Sequence, residues 1–431
     1  MRINLLLEME SVAPREEGQT PARGGISLLL HIGETPGLLS LGVGEPSFDT
    51  PQHIVNASVK ALQEGHTHYS PDSGLLSLRE VIADKTEREN GFSPDPRTEI
   101  VVTAGTSPAL YGSILATIRR GDEVVLPTPA YLAYEPIVQM AGGRPVPVPM
   151  REEDNFNPAS ESLVEAISPA TKMIVISSPS NPTGAVWTRE SIRTVADLAI
   201  DHNLLVLSDE LYERIVFDGA TNLSPSSLSG MHERTITING LSKSHAMAGF
   251  RIGWAIAHRD VIGKFLDIHK YSSICAPVVS QYAAEAALTG PQDAVTDMVM
   301  EYDRRRRLLV ERINRDVPFI SALPPKGSLF LFANIKALVE QRVEEMKSHL
   351  KTDAKPLLAS LPPDLFSIDD LEASGSLVTM LYLVASARVL TVSGAFFGAG
   401  GEGFLRLSFA QSYDTIDESL TRMTESLSHL Q

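Results

Sequence analysis

The chain has a single cysteine, Cys275, so no intrachain disulfide can staple it. Its 431 residues must be held by buried apolar surface and hydrogen bonds alone. A reducing compartment suits such a chain. It also has no apolar run long enough to span a bilayer. The run Leu5-Leu6-Leu7 stops at Glu8, too early for a signal peptide, and the sequence reads as cytoplasmic. Positive charge is scarce: 37 Lys and Arg stand against 53 Asp and Glu, a formal net charge of −16. That balance disfavours nucleic acid and anionic membranes as partners, while leaving room for a local basic pocket around a small anion. The histidines lack the spacing with Cys or carboxylates that a metal centre needs, so no metal is expected. Internal repeats and low-complexity tracts are absent as well.

What is present is ordinary globular composition, 43% hydrophobic and 21% charged. The length exceeds what one core usually organises, so two domains are expected. Within it, one stretch carries unusual chemistry. The β-branched run Thr235 to Ile238 reads as a buried strand, broken by Asn239-Gly240. Ser242-Lys243 follows among small residues that would leave the lysine amine free in a cavity. Eight residues on, Arg251 is a permanent cation suited to gripping a phosphate through several hydrogen bonds. A lysine for a Schiff base and an arginine for a phosphate are what pyridoxal phosphate requires.

Upstream segments fall in a compatible order. Glu99 to Thr103 reads as a strand, and Gly105-Thr106-Ser107 lead into a helix from Ala109, a strand–turn–helix geometry that suits an anion. Asp122 to Leu126 is a second strand, with Tyr131 just beyond it as either a ring-stacking or a core aromatic. Lys172 to Ser177 delivers the turn Ser178 to Gly184, including Asn181. Leu204 to Leu207 is a continuous apolar run that ends at Asp209, with Tyr212 three residues on. A carboxylate at the end of a central strand faces the crevice where α/β folds place ligands, though Asp209 could by itself be a helix N-cap. The Gly44 loop and the Tyr69 turn would pass, on their own, for ordinary Gly/Pro punctuation. Arg304 to Arg307 reads as the solvated or salt-bridged face of a long helix. Arg406, set between Leu405 and Leu407 in an apolar strand, needs an anionic partner if buried.

The pattern S-K-x(5)-G-x-R-x-G-W at Ser242, Lys243, Gly249, Arg251, Gly253 and Trp254 resembles the class I/II aminotransferases, the fold-type I pyridoxal phosphate enzymes. The resemblance runs from about Leu41 to the C-terminal helix. It implies an α/β fold: a large cofactor domain at about 50–315, with a mostly parallel sheet flanked by helices, and a smaller α+β domain formed by 1–49 and 316–431. It further implies that Lys243 binds pyridoxal 5′-phosphate, Asp209 pairs with the pyridine nitrogen, and Tyr131 stacks on the ring. Asn181 and Tyr212 would meet the phenolic oxygen. Gly105, Thr106, Ser107, Ser242 and Arg251 would cradle the phosphate, joined by Tyr69 from the other subunit of a homodimer. Gly44, Asn181 and Arg406 would hold the substrate, Arg406 taking the α-carboxylate as a bidentate pair.

The implied reaction is transfer of an amino group between an L-amino acid and a 2-oxo acid. Lyases, synthases or cyclases, and oxidases built on the same constellation are the alternative. A cofactor-binding regulator ranks low, because no basic helix-turn-helix precedes residue 41. Two segments depart from the resemblance. The polar stretch Arg15 to Pro21 looks like an inserted loop, and residues from about Lys336 to Leu377, with Pro362-Pro363, look like an extra helix and loop without a catalytic reason.

Overall fold

The computed structural model describes residues 25–430. The polar stretch Arg15 to Pro21 lies outside the described residues. Twelve strands are described: β1 Leu39–Ser40, β2 Ile100–Thr103, β3 Glu123–Thr128, β4 Arg144–Pro149, β5 Thr171–Ser177, β6 Leu205–Asp209, β7 Thr235–Gly240, β8 Gly253–Ile256, β9 Phe330–Asn334, β10 Val389–Leu390, β11 Val392–Ser393 and β12 Phe404–Ser408. Seven of them form one sheet in the order β2-β8-β7-β6-β5-β3-β4. Strands β4, β3, β5, β6 and β7 run parallel, and β8 is antiparallel to both β7 and β2.

The sequence explains why this sheet is central. β2, β3, β7 and β8 are buried along their whole length, as expected for apolar strands covered on both faces by helices. One face packs Val124, Leu126, Val175, Leu207 and Ile238 against helices that include Thr106–Thr117 and Arg259–Ser272. Their close packing needs Gly112, whose added Cβ would fall 2.4 Å from the Phe265 ring.

Parallel strands joined by crossovers bring their C-terminal ends to one edge. The register shows it directly: Ser177 on β5 lies beside Asp209 on β6, and Asp209 lies beside Ile238 on β7. The loops after β2, β3, β5, β6 and β7 therefore share this edge.

A second unit stands over it. β11, β12 and β9 form an antiparallel sheet in which Arg406 pairs with Val392 and Phe332. The N-terminal segment is stitched to it: β1 pairs with β10, Leu41 donates to the Leu390 carbonyl at 2.8 Å, and Ser408 donates to the Leu41 carbonyl at 2.6 Å. This stitching fixes the Gly42–Gly44 backbone near β12, opposite the main sheet.

The long helix Asp293–Asp316 carries the arginine run, and all four arginines are salt-bridged, to Glu301, Asp303 or Asp218. Arg305 and Arg306 are buried. Arg306 forms paired bonds of 2.9 Å to both Asp218 oxygens and donates to the Pro325 carbonyl at 2.8 Å, while Arg305 reaches Ser47 and the Ala410 carbonyl. They tie the long helix to both the N- and C-terminal segments. The poorly matching stretch forms helices Lys336–Thr352, Lys355–Ser360 and Asp370–Ala373. Leu338, Met346, Leu350 and Leu371 bury it against the helix Gly375–Ser386, so its role is packing. Among the described residues no helix is long and apolar enough to cross a membrane.

Candidate active site

A cavity of about 720 Å³ opens between the C-terminal edge of the main sheet and the three-stranded sheet. It gathers Gly44, Thr106, Ser107, Tyr131, Asn181, Asp209, Tyr212, Ser242, Lys243, Arg251 and Arg406, from segments up to 362 positions apart in the chain. Gly105 sits just behind this wall. Tyr69 is not part of it; it is 78% exposed on the single chain.

Lys243 follows β7 and donates from Nζ to the Gly44 carbonyl at 2.8 Å. Burial lowers its pKa to about 8, helped by the positive charges of Arg406 and Arg251 and opposed by Glu45. An amine with that pKa is about one-tenth unprotonated at pH 7, far more than an ordinary lysine, and that fraction can attack a carbonyl.

Gly105 has φ +93°, where a side chain would be strained, and a Cβ there would fall 2.4 Å from Arg251 Nη2. The helix Thr106–Thr117 starts at once, three residues earlier than the sequence suggests, with no side-chain cap on its first N–H groups. Arg251, itself at φ +54°, is held over this end by a 2.9 Å bond to the Ala248 carbonyl. An uncapped helix N-terminus beside a guanidinium is a cradle for a phosphate.

Asp209 ends β6. Its Oδ2 accepts from the Tyr134 hydroxyl at 2.7 Å and its Oδ1 from the Leu211 N–H at 3.3 Å. Burial pushes the carboxyl above its usual range, and these two bonds pull it back. No α-helix begins at this point, so the capping alternative does not apply. A half-buried carboxylate of this kind suits a cation such as a protonated ring nitrogen. Tyr131 and Tyr134 meet edge-on at 5.6 Å, which orients the Tyr131 ring along the wall.

Arg406 on β12 is buried without a carboxylate. Its Nη1 donates to Asn181 Oδ1 at 2.9 Å, Nη2 donates to the Gly42 carbonyl, and no hydrogen-bond partner among the described residues meets Nε. The guanidinium lies 4.3 Å from the Phe330 ring centroid and 5.0 Å from that of Phe397. Burial lowers its pKa to about 10, still charged at neutral pH. Gly44 is required here, because a Cβ would strike the Phe330 ring at 2.3 Å.

Three contributors escape the sequence reading. Tyr134 looks like any aromatic at a helix start, Phe330 like any strand residue, and the helix Gly25–Gly33 like a surface element. Only the fold brings them to the cavity.

A partly desolvated lysine, an uncapped helix end under an arginine, an aspartate at the end of a central strand and a buried arginine without a carboxylate partner thus line one cavity, a set that suits a pyridoxal phosphate enzyme. Residues 36–423 match the model of the family "Aminotransferase class I and II". The chain is 38% identical over 395 residues to aromatic-amino-acid aminotransferase 2 of Thermococcus litoralis, covering 91% of this chain and 92% of that one. It is 37% identical over 394 residues to an aspartate aminotransferase of Pyrococcus abyssi, covering 90% and 92%. The crystal structure of an aromatic aminotransferase from Pyrococcus horikoshii superposes with a TM-score of 0.80 at 37% identity, over 93% of this chain and 98% of that one. The chain belongs to the class I and II aminotransferases. It has their fold-type I architecture, depends on pyridoxal phosphate, and moves amino groups between amino acids and 2-oxo acids.

Proposed function

We propose that the cavity between the two sheets is the transamination site, with the roles divided as follows. Lys243 holds the cofactor covalently, Arg251 with Gly105, Thr106, Ser107 and Ser242 holds its phosphate, and Asp209 faces its ring nitrogen. Tyr131 supports the ring, and Asn181 and Tyr212 address its phenolic oxygen. When bound, pyridoxal phosphate supplies a carbonyl that condenses with amines and a conjugated ring that spreads carbanion charge. Lys243 Nζ then accepts the proton leaving the substrate α-carbon, and returns it, as general base and acid. Arg406 with Asn181 and the Gly44 loop grips the α-carboxylate and so fixes which substrate bond faces Lys243. The observation that carries this division is the convergence on one cavity of Lys243, Asp209, Arg251 and Arg406 from three separate segments.

Arg406 gives the test. Lysine offers one point charge where the guanidinium offers a fork. Arg406→Lys should therefore weaken amino and oxo acids by roughly 2–5 kcal/mol, the scale of a broken charge-assisted pair, and leave cofactor affinity nearly unchanged. Half-reaction kinetics with an amino acid and with the corresponding decarboxylated amine check this. Equal losses for both ligands would show that Arg406 is structural.

The same proposal covers the assembly. The exposed Tyr69 would complete the phosphate site of a second copy in a homodimer, with one domain at about 50–315 and the other from the two terminal parts. A cytoplasmic setting fits the lone, buried Cys275. The relatives divide between aspartate and aromatic amino acids, so the family does not fix the substrate side chain.

A further inference from the structure

We infer that the substrate side chain is large and apolar, an aromatic or long aliphatic group rather than a second carboxylate, and that Leu30 helps to set this preference. The inference rests on the site assignment above and deepens it. Three cations line the cavity among the described residues: Lys243, Arg251 and Arg406. Lys243 is committed to the cofactor, Arg251 to its phosphate, and Arg406 to the α-carboxylate. Within one subunit no described lining cation is left for a distal carboxylate. The acidic groups on the wall are Asp209, facing the ring nitrogen, and Glu45. Glu45 is exposed and close enough to raise the pKa of Lys243 by its charge, so it would repel a further anion.

The rest of the mouth is apolar. The helix Gly25–Gly33 presents Ile26, Leu29 and Leu30 to the cavity, and Val43, Leu132 and Leu390 continue the wall. Ile26 is 47% exposed and Leu30 67% exposed, although Leu28 and Ile32 on the same helix are buried. The helix is thus anchored on one side and offers leucine and isoleucine to solvent on the other, against the cavity. Covering those side chains with an aromatic ring removes apolar surface from both partners, whereas a carboxylate there would lose hydration with no cation in return.

The holoenzyme supplies the test through binding as well as turnover. Titration with the unreactive acids 3-phenylpropionate and succinate, followed by the cofactor's visible absorbance, should give a Kd at least tenfold lower for 3-phenylpropionate. Phenylalanine, tyrosine and leucine should exceed aspartate in kcat/KM by tenfold or more. Leu30→Arg, with cofactor content checked to be that of wild type, should shift the aspartate-to-phenylalanine kcat/KM ratio towards aspartate by at least tenfold. Tighter succinate binding together with preferred turnover of aspartate would overturn the inference while leaving the transamination site intact. Failure of every amino acid to react would instead count against the site assignment itself.

Discussion

Lys243→Ala should produce a folded protein that forms no covalent bond to its cofactor and loses transamination by about 10²–10⁴-fold, the scale of a lost general acid–base group. The fold should survive because the Lys243 amine has one described hydrogen-bond partner, the Gly44 carbonyl. Removing it leaves no orphaned buried charge. The direction of its pKa shift sharpens the point. The amine titrates at about 8 in the folded chain and at 10.5 when unperturbed. Between these values the unfolded chain binds more protons at this group, so burial of Lys243 costs cofactor-free protein stability below about pH 8, and that cost fades as the pH rises towards 10.5. The cofactor-free variant should therefore melt no lower than cofactor-free wild type at pH 7. Borohydride reduction and peptide mapping locate the covalent site in wild type. A label on any other lysine, or a variant that retains turnover, would remove Lys243 from its role.

The second large effect belongs to Asp209. Asp209→Asn should retain cofactor, because Arg251 and the helix end still hold the phosphate, yet slow proton abstraction by at least ~4 kcal/mol, about a thousandfold. The amide keeps the size of the carboxylate and loses the charge that faces a protonated ring nitrogen. Tyr134 offers a graded companion. Its hydroxyl donates to Asp209 Oδ2 at 2.7 Å and lowers the carboxyl pKa against the pull of burial. Tyr134→Phe should thus cost about 1.5–3 kcal/mol in the same step, the usual size for a hydrogen bond to a charged group, with the fold unchanged. Single-turnover rates with a deuterated α-carbon isolate this step. If Asp209→Asn turned over near the wild-type rate, the carboxylate would be a structural group only.

These expectations show which parts of the site were legible in the sequence. The order of the strands was readable from their apolar runs, but their ends were not: β7 continues through Asn239-Gly240, expected to break it, and β6 continues through Ser208 to Asp209. Parallel topology then collects those ends at one edge. Arg406 was readable as a charge isolated in an apolar strand. The structure supplies an Asn181 amide oxygen, a carbonyl and two aromatic rings in place of a carboxylate partner.

Other features were hidden for physical reasons. Tyr134 acts through its distance to Asp209, 75 positions away, and no local pattern encodes such a contact. The helix start at Thr106 was placed too late because a glycine at φ +93° followed by two hydroxyl residues reads as a turn. Arg305 and Arg306 were hidden by their neighbours: in a run of four arginines the helical turn, not the composition, decides which two face inward. The helix Gly25–Gly33 has no place among the sequence expectations, and its exposed apolar residues have the cavity, not another element, as their neighbour.

The most direct measurement is a single half-reaction. Holoenzyme mixed with an excess of phenylalanine, without any 2-oxo acid, should release one phenylpyruvate per subunit, keep its cofactor in the amine form, and stop. Adding 2-oxoglutarate should restore the original absorbance as the amine is handed on. Continued turnover without an oxo acid, with ammonia released, would contradict transamination at this site and place the chain among eliminating enzymes on the same fold.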